Sequence, residues 1–295
     1  MNAHFQTNRY LKECTTFGIG GKAHYFVDIH KIEEMQQALQ FCSQHQIPYF
    51  ILGKGSNCLF DDQGFDGAIL ANRIAFLERP TPSTFHVGAG YSFSLLGTQT
   101  AREGWTGLEF ASGIPGSVGG AVYMNAGANK GQTSDCLASV DFMQEDGSMI
   151  VLNRPDLQYS YRSSSFQGMK GAIIGATFHL NPCLTARSKQ LEIIHYRQKT
   201  QPYKDKSAGC IFRNPPGSVT AGALIEQAGL KGFCMGDAQV SLLHANFIIN
   251  RGTATAADTC LLIEYVRDQV KEQTGVELES EVLHIPYTHS TLRRI

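Results

Sequence analysis

Two glycine-rich segments are the parts of this sequence best suited to hold a ligand. Gly53-Lys54-Gly55-Ser56-Asn57 directly follows an apolar run, the place where α/β proteins commonly present backbone N–H groups to a phosphate. The second segment is Gly113-Ile114-Pro115-Gly116-Ser117-Val118-Gly119-Gly120-Ala121, soon followed by Asn125-Ala126-Gly127. Glycine permits positive φ and close approach of the main chain to an anion. Together the segments predict a site for a long polyanionic cofactor, although the first by itself is also compatible with a plain tight turn.

The spacing of these glycines does not fit the common nucleotide-binding patterns. The second segment reads G-x-x-G-x-x-G-G, which differs from the dinucleotide pattern G-x-G-x-x-G, and we expect no strand and helix to frame it properly. No G-K-[ST] follows at the spacing of a Walker loop. The sequence therefore favours a flavin or nucleotide site of a non-Rossmann kind.

The elements expected to position these segments alternate between helix and strand. A strand over 24–29 precedes a helix whose apolar residues recur on one face, and a buried strand over Tyr49–Leu52 then leads into the first glycine segment. A final helix is expected to begin at Thr255, with Asp258 in a capping box, and to end at Gly275. Further strands are expected over 68–71, 84–87, 137–144, 173–180 and 246–250. Further helix is expected over 93–103. The stretch 187–206 is expected to contain a helix and a linker, with a domain boundary there.

Composition excludes several classes of protein. The 295 residues are 42% hydrophobic and 17% charged, enough apolar material for more than one core. Lys and Arg total 25 against 26 for Asp and Glu, which argues against electrostatic binding of nucleic acid. No apolar stretch approaches the roughly 20 residues that span a bilayer.

Cysteine usage and the first residues bear on cellular location. The eight cysteines show neither C-x-x-C pairs nor zinc-type spacing, so we expect reduced thiols and no metal site. The first residues carry no basic start followed by an apolar run, so we expect no signal peptide. The sequence predicts a cytoplasmic protein.

Eight segments, in a fixed order, carry a resemblance to a known family. They are T-F-G-I-G-G (16–21), the two glycine segments, Y-S-Y-R (159–162), G-C-I-F-R-N-P (209–215), A-L-I-E (223–226), H-A-N-F (244–247) and E-S-E-V (279–282). In this order they resemble the UDP-N-acetylenolpyruvoylglucosamine reductases, the MurB family. The match runs from about Thr15 to Ile285, and the short C-terminal part is similar to the shorter, second type of the family.

The resemblance implies an α+β fold of three parts. Two N-terminal α/β subdomains of the vanillyl-alcohol-oxidase (PCMH) type, about 1–88 and 89–200, would bind FAD, and an α/β domain over 201–295 would bind substrate. It also implies NADPH-dependent reduction of UDP-N-acetylglucosamine enolpyruvate to UDP-N-acetylmuramate in peptidoglycan synthesis. NADPH and the nucleotide sugar would take turns in one pocket. We expect a monomer.

The reaction gives a role to each of three residues that the resemblance identifies. Hydride transfer to the β carbon builds negative charge on the substrate carboxylate as an enolate, which Arg162 would bind through two hydrogen bonds. Glu281 would assist there if it is protonated, because a bare carboxylate repels an enolate. Glu279 lies two residues away, and an exchange of the two glutamates' roles stays open. Cys210 stands where the family usually has a serine that protonates the α carbon, and a thiol is the stronger acid.

Two further positions follow from the same resemblance. Asn214 is similar to a substrate-binding amide of the family. Leu283 departs from the family, which commonly has arginine there, and the candidates to replace that cation are Lys204, Lys206 and Arg213.

Two other functions stay open at this point. One is an FAD-dependent oxidase or dehydrogenase of another substrate, and the other is a flavin-binding protein without catalysis. Because no histidine or cysteine lies within 53–57 to form a covalent link, we expect FAD to be held non-covalently.

Overall fold

The computed structural model describes residues 5–217, 219–288 and 293–294. Helices in this part of the chain are α1 (Ile32–Gln44), α2 (Phe93–Arg102), α3 (Val118–Met124), α4 (Ala186–Thr200), α5 (Ala221–Gln227) and α6 (Ala256–Thr274). Strands are β1 (Gln6–Tyr10), β2 (Lys22–Ile29), β3 (Tyr49–Leu52), β4 (Cys58–Phe60), β5 (Gly64–Asn72), β6 (Leu77–Thr81), β7 (Thr84–Gly88), β8 (Trp105–Thr106), β9 (Gly127–Ala128), β10 (Gly131–Gln132), β11 (Leu137–Gln144), β12 (Met149–Asn153), β13 (Tyr159–Ser160), β14 (Ser163–Ser164), β15 (Gly171–His179), β16 (Asn181–Pro182), β17 (Lys206–Cys210), β18 (Cys234–Met235), β19 (Ala238–Val240), β20 (Phe247–Asn250), β21 (Leu283–Ile285) and β22 (Arg293–Arg294). Short 3₁₀ turns cover Leu11–Glu13, Glu109–Ala111, Thr133–Asp135, Arg154–Asp156 and Ser165–Gly168.

The final helix has the ends that its sequence predicts. The Thr255 side chain accepts a hydrogen bond from the Asp258 N–H, and the Asp258 carboxylate accepts one from the Thr255 N–H. Gly275 ends the helix in the left-handed region at φ 73°. The carboxylate of Asp62 adds a cap from a distant part of the sequence, since it accepts from the N–H groups of the first two helical residues at 2.7 and 3.1 Å. Among the described residues, no helix is both long and apolar enough to cross a membrane.

The chain divides into two compact units that interleave along the sequence. Among the described residues, the first unit comprises 5–6, Phe26–Lys54 and Ala68–Arg197, and the second comprises Thr7–Tyr25, Gly55–Gly67 and the part from Gln198 onward. The chain passes from one unit to the other within the first glycine segment, between Lys54 and Gly55.

The first unit is built on an antiparallel sheet of five strands in the order β12-β11-β15-β7-β6. Helices α2 and α3 contribute Phe93, Leu96, Val118 and Val122 to the core beneath it, beside Phe85, Phe142 and Phe178 of the strands. In the same unit β3 pairs in parallel with β5, with Tyr49 opposite Ala68 and Leu52 opposite Ala71. The strand that precedes the first glycine segment is therefore fixed in a sheet.

The second unit has its own core and its own small sheet. Strands β17-β20-β19-β18 form an antiparallel sheet, and β4 pairs in parallel with β21. Helix α6 buries Leu262, Ile263, Val266 and Val270 in this core, and the partly buried Tyr265 packs against it. Phe17 and Leu59 belong to the same core, although they lie far from α6 in sequence.

One short helix was not expected. Helix α3 begins inside the second glycine segment at Val118, with the Ser117 hydroxyl accepting from the Gly120 N–H at 3.3 Å, although in the described part of the chain no strand leads directly into the segment. A Cβ at Gly119 would lie 2.9 Å from the Ala89 Cβ, so glycine is required there for close packing. Two glycines cost a helix about 1 kcal/mol each, and here the cap and the tertiary packing outweigh that cost.

His86 on β7 lies between two carboxylates and makes the stability of the first unit depend on pH. Its Nε2 is 2.6 Å from Asp141 Oδ2 and its Nδ1 is 3.2 Å from Glu78 Oε2. Burial lowers the pKa of His86, but the hydrogen bonds and charges of the two carboxylates outweigh burial, so the pKa lies above its ordinary value.

The sign of the pH effect follows from that direction. A pKa raised by folding gives stabilisation that is complete below about pH 6.5, the unfolded value, and is lost as pH rises through the folded pKa. We expect the difference in unfolding free energy between the wild type and His86→Gln to shrink as the pH rises above about 6.5 and passes through the raised pKa of folded His86. Denaturant unfolding at a series of pH values measures it, and a difference independent of pH would contradict the assignment.

Candidate functional site

The first glycine segment has three carbonyl groups that accept hydrogen bonds, those of residues 53, 55 and 57, while most of its backbone N–H groups have no acceptor among the described residues. The Gly53 carbonyl accepts from Arg73 Nη1 at 2.6 Å, and the Asn57 carbonyl accepts from the Leu283 N–H at 3.1 Å. Among hydrogen bonds between described residues, none has as its donor a backbone N–H of 53–56, whereas the Asn57 N–H donates to the Cys58 thiol. Four unused N–H groups beside a lysine are the kind of donor set that a phosphate or pyrophosphate requires.

Lys54 adds a cation of lowered pKa to this segment. Over the whole residue Lys54 is exposed, but partial desolvation of its ammonium and, secondly, the charge of Arg73 lower its pKa. A lowered pKa is expected where two cations repel each other, and a bound anion would offset that repulsion.

Within the first unit, Gly53 of the first glycine segment lies beside Ser117 of the second. A Cβ at Gly53 would lie 2.5 Å from Ser117 Oγ, so a side chain there would displace the hydroxyl. The second segment differs from the first because its N–H groups are used internally. Val118 donates to the Tyr91 carbonyl and Gly119 to the Ala89 carbonyl. This segment offers a ligand a close backbone surface rather than a row of N–H donors.

Arg162 lies at the tip of the hairpin formed by β13 and β14. Its φ of 55° is in the left-handed region, which costs a non-glycine residue about 1 kcal/mol or more. The guanidinium donates from Nη2 to the Gly127 carbonyl at 2.8 Å and lies over the Tyr161 ring, 4.8 Å from its centroid. The predicted cation is thus held on a tight turn.

Asn125 and Gly127, both predicted to contact the cofactor, support this hairpin. The buried side chain of Asn125 donates to the Ser160 carbonyl at 2.9 Å and to Gln132 Oε1 at 3.0 Å, and it accepts from the Ser134 N–H. The Gly127 carbonyl accepts a hydrogen bond from the Arg162 guanidinium. The end of the second glycine segment is therefore joined to the arginine that we expect to bind substrate.

Cys210 ends β17 in the second unit, next to a β-bulge. The pairing of β17 with β20 shifts between Ser207 and Cys210, and Gly209 in the bulge has a φ of 82° that favours glycine. Cys210 lies opposite Phe247 and is partly exposed.

The main chain of Glu281 is held on both sides in the same unit. Its N–H donates to the Ile211 carbonyl at 2.7 Å, and its carbonyl accepts from Asn57 Nδ2 at 3.2 Å. The structure therefore brings the segment of Glu281 against the residue that follows Cys210. The Glu279 side chain is 75% exposed and lies 3.8 Å from Arg213 Nη1.

The remaining predicted residues lie as follows. Asn214 accepts a hydrogen bond at Oδ1 from the Ala221 N–H at 3.1 Å, at the start of α5. Leu283 is in β21 beside β4. Of the candidates to replace the family arginine, Lys204 and Lys206 are exposed. The Arg213 side chain is only 16% exposed, and the backbone N–H of Arg213 donates to the Glu279 carbonyl. The sequence could not rank these three, because burial depends on the chain segment opposite.

Two family models match separate parts of the chain. The model of the FAD binding domain matches residues 23–153, and that of the UDP-N-acetylenolpyruvoylglucosamine reductase, C-terminal domain, matches residues 201–285. The first match contains both glycine segments, and the unused N–H groups of 53–56 together with the close backbone of the second segment fit the pyrophosphate of FAD. The fold and this site define an FAD-binding protein, and the α+β class is confirmed.

Relatives of similar length identify the family. The chain is 62% identical to the UDP-N-acetylenolpyruvoylglucosamine reductase of Protochlamydia amoebophila, over 96% of this chain and 94% of that protein. It is 47% identical to that of Chlamydia felis, over 94% and 93%. The crystal structure of the Thermus caldophilus reductase (MurB) superposes with a TM-score of 0.82 at 36% identity, over 96% of this chain and 100% of that chain. This chain belongs to the UDP-N-acetylenolpyruvoylglucosamine reductase family.

Proposed function

We propose that this chain reduces UDP-N-acetylglucosamine enolpyruvate to UDP-N-acetylmuramate, with non-covalent FAD as cofactor and NADPH as electron donor. The observation that carries this proposal is the similarity, over nearly the full length of both chains, to reductases named for that substrate. Residues 1–200 would bind FAD, and 201–295 would bind most of the substrate.

FAD, when bound, would supply the hydride chemistry that reduction of the enolpyruvyl group requires, with NADPH as the source of the electrons. The backbone N–H groups of 53–56 would hold the pyrophosphate of FAD, since they have no other acceptor among the described residues. Lys54, whose pKa is lowered, gains a counter-charge in the same step.

Arg162 and Glu281 would stabilise the enolate that forms as the hydride arrives. The guanidinium of Arg162 would bind the two carboxylate oxygens, and its αL turn limits the number of positions it can take. Glu281 would act in its protonated form as a hydrogen-bond donor. Between the two glutamates, the exposure of Glu279 and its ion pair with Arg213 favour Glu281 for this role.

Cys210 would complete the reduction by protonating the α carbon. The S–H bond breaks as the C–H bond forms, and the resulting thiolate regains its proton from solvent. Asn214 would bind the substrate through its amide. Arg213, a half-buried residue next to Asn214 in the chain, would provide the cation that the family commonly carries where this chain has Leu283.

The setting in the cell is part of the same proposal. The enzyme would act in the cytoplasm as a monomer, and its product would feed peptidoglycan synthesis, on which cell shape and cell division depend.

Analysis of the product tests this function. Protein incubated with NADPH and UDP-N-acetylglucosamine enolpyruvate should yield a nucleotide sugar heavier by two hydrogen atoms, detected by mass spectrometry. UDP-N-acetylglucosamine, which lacks the enolpyruvyl ether, serves as the control and should stay unchanged. If the enolpyruvyl sugar is recovered unreduced while NADPH is consumed with oxygen, the chain is an oxidase; if neither reacts, it is a flavin-binding protein without catalysis.

A further inference from the structure

The side-chain amide of Asn246, just before β20, makes the pair of hydrogen bonds that the backbone of a neighbouring strand residue would otherwise make. Its Oδ1 accepts from the Phe212 N–H at 2.9 Å, and its Nδ2 donates to the Phe212 carbonyl at 2.8 Å. Its own carbonyl accepts from the Ile211 N–H at 2.9 Å. Three hydrogen bonds from one residue thus hold the two residues that follow Cys210.

The opposite edge of that segment holds Glu281. The Ile211 carbonyl accepts the Glu281 N–H at 2.7 Å, and Phe212 forms an antiparallel bridge with Ser280. The segment 211–212 therefore lies between Asn246 on one side and the glutamate segment on the other. Asn246 is only 3% exposed, so water does not readily replace its bonds.

The bulge in β17 explains why a side chain is needed there. An extra residue between Ser207 and Cys210 disrupts the main-chain ladder with β20. Beyond the bulge, Asn246 contributes its carbonyl and its amide, while its own N–H donates to His244 Nδ1 at 3.2 Å. The amide thereby continues the pairing past the end of β17.

We propose that Asn246 is a positioning residue that fixes Cys210 and Glu281 relative to each other by holding residues 211–212 between them. This role rests on the proposed function, because it concerns the proton donor and its acidic neighbour in substrate reduction. Asn246 itself would contact neither substrate nor flavin. Displacement of reacting groups by about 1 Å can cost about 10²-fold in rate.

The test compares Asn246→Ala with a matched variant, Asn250→Ala. Asn250 is also a buried asparagine of the β20 region, 7% exposed, and it bonds Phe17, Gly252 and Ala254 instead of 211–212. Loss of Asn246 should speed hydrogen exchange by about tenfold or more in peptides covering 209–213 and 279–282. Asn250→Ala should leave exchange in the 279–282 peptide at the wild-type rate.

Kinetics per bound FAD separate a positioning role from a loss of folded protein. In Asn246→Ala, reduction of the flavin by NADPH should stay within about threefold of wild type, and reoxidation by the enolpyruvyl nucleotide sugar should fall about 10²-fold. Asn246→Asp should regain part of this rate relative to wild type as the pH is lowered, because a protonated carboxyl can again donate to the Phe212 carbonyl. Asn246→Ala should show no such gain.

Two results would overturn the role of Asn246. One is unchanged exchange over 279–282 in Asn246→Ala, and the other is an equal loss of rate in both half-reactions. If wild-type reduced flavin is not reoxidised by the nucleotide sugar, the proposed function fails, and hydrogen exchange still decides whether Asn246 links the two segments.

Discussion

Replacing Cys210 with alanine should slow reduction of the enolpyruvyl substrate by about 10²-fold or more, while the flavin is still reduced by NADPH at close to the wild-type rate. The physical reason is that alanine keeps the bulge and the pairing with Phe247 but removes the only proton that this side chain can give. Stopped-flow measurement of the two half-reactions separates these steps.

Two further variants make the result for Cys210 specific. Cys210→Ser should keep substantial turnover, because a hydroxyl can donate a proton from nearly the same position. Cys234→Ala removes another cysteine of the second unit, one that is exposed and bonded to the Gly232 carbonyl, and should behave as wild type. Normal substrate reduction in Cys210→Ala would remove Cys210 from the mechanism.

Replacing Arg162 with glycine should lower kcat/KM for the nucleotide sugar by about 10³-fold, the upper range for loss of a preorganised charged donor. Glycine suits this position because φ is 55° there, so the turn should form at least as readily as in wild type. Arg162→Gly should therefore lose activity while its free energy of unfolding stays equal to that of the wild type or rises slightly. Steady-state kinetics and denaturant unfolding on the same sample measure both.

Lys130→Gly is the matched control for Arg162→Gly. Lys130 is also a cationic residue in the left-handed region, with φ 67°, in the turn between β9 and β10. Its replacement removes the same charge and the same strain, and it should not change kcat/KM by more than about twofold. Arg162→Lys should recover only part of the activity, because an ammonium cannot bind two carboxylate oxygens in parallel. Equal effects of the two glycine variants would contradict the role of Arg162.

The local elements could be predicted because their signals are local. The Thr255–Asp258 cap of α6 and its terminal Gly275 lie within about 20 neighbouring residues, and the structure confirms them. The strand over Tyr49–Leu52 is confirmed for the same reason, although only Leu52 is fully buried and the other three residues are half-buried. Helix α3 was missed because Gly119 and Gly120 argue against helix locally, whereas its stability comes from packing against Ala89.

The parts that position the site depend on contacts between distant residues. The sequence draws attention to Asn57 as part of a glycine turn, but not to its hydrogen bond to the Glu281 carbonyl 224 residues away. The bonds of Asn125 to the Arg162 hairpin and of Asn246 to Phe212 are likewise invisible in one sequence. Residue types at the site could therefore be predicted, and their supports could not.

The central claim is that electrons pass from NADPH through a bound flavin to an enolpyruvyl nucleotide sugar, and flavin absorbance tests it most directly. Purified protein should be yellow, and NADPH should bleach it in the absence of oxygen. Anaerobic addition of UDP-N-acetylglucosamine enolpyruvate should then restore the oxidised spectrum within the time of one turnover. A bleached sample that stays colourless with this substrate, and regains its colour only when oxygen is admitted, would contradict the account.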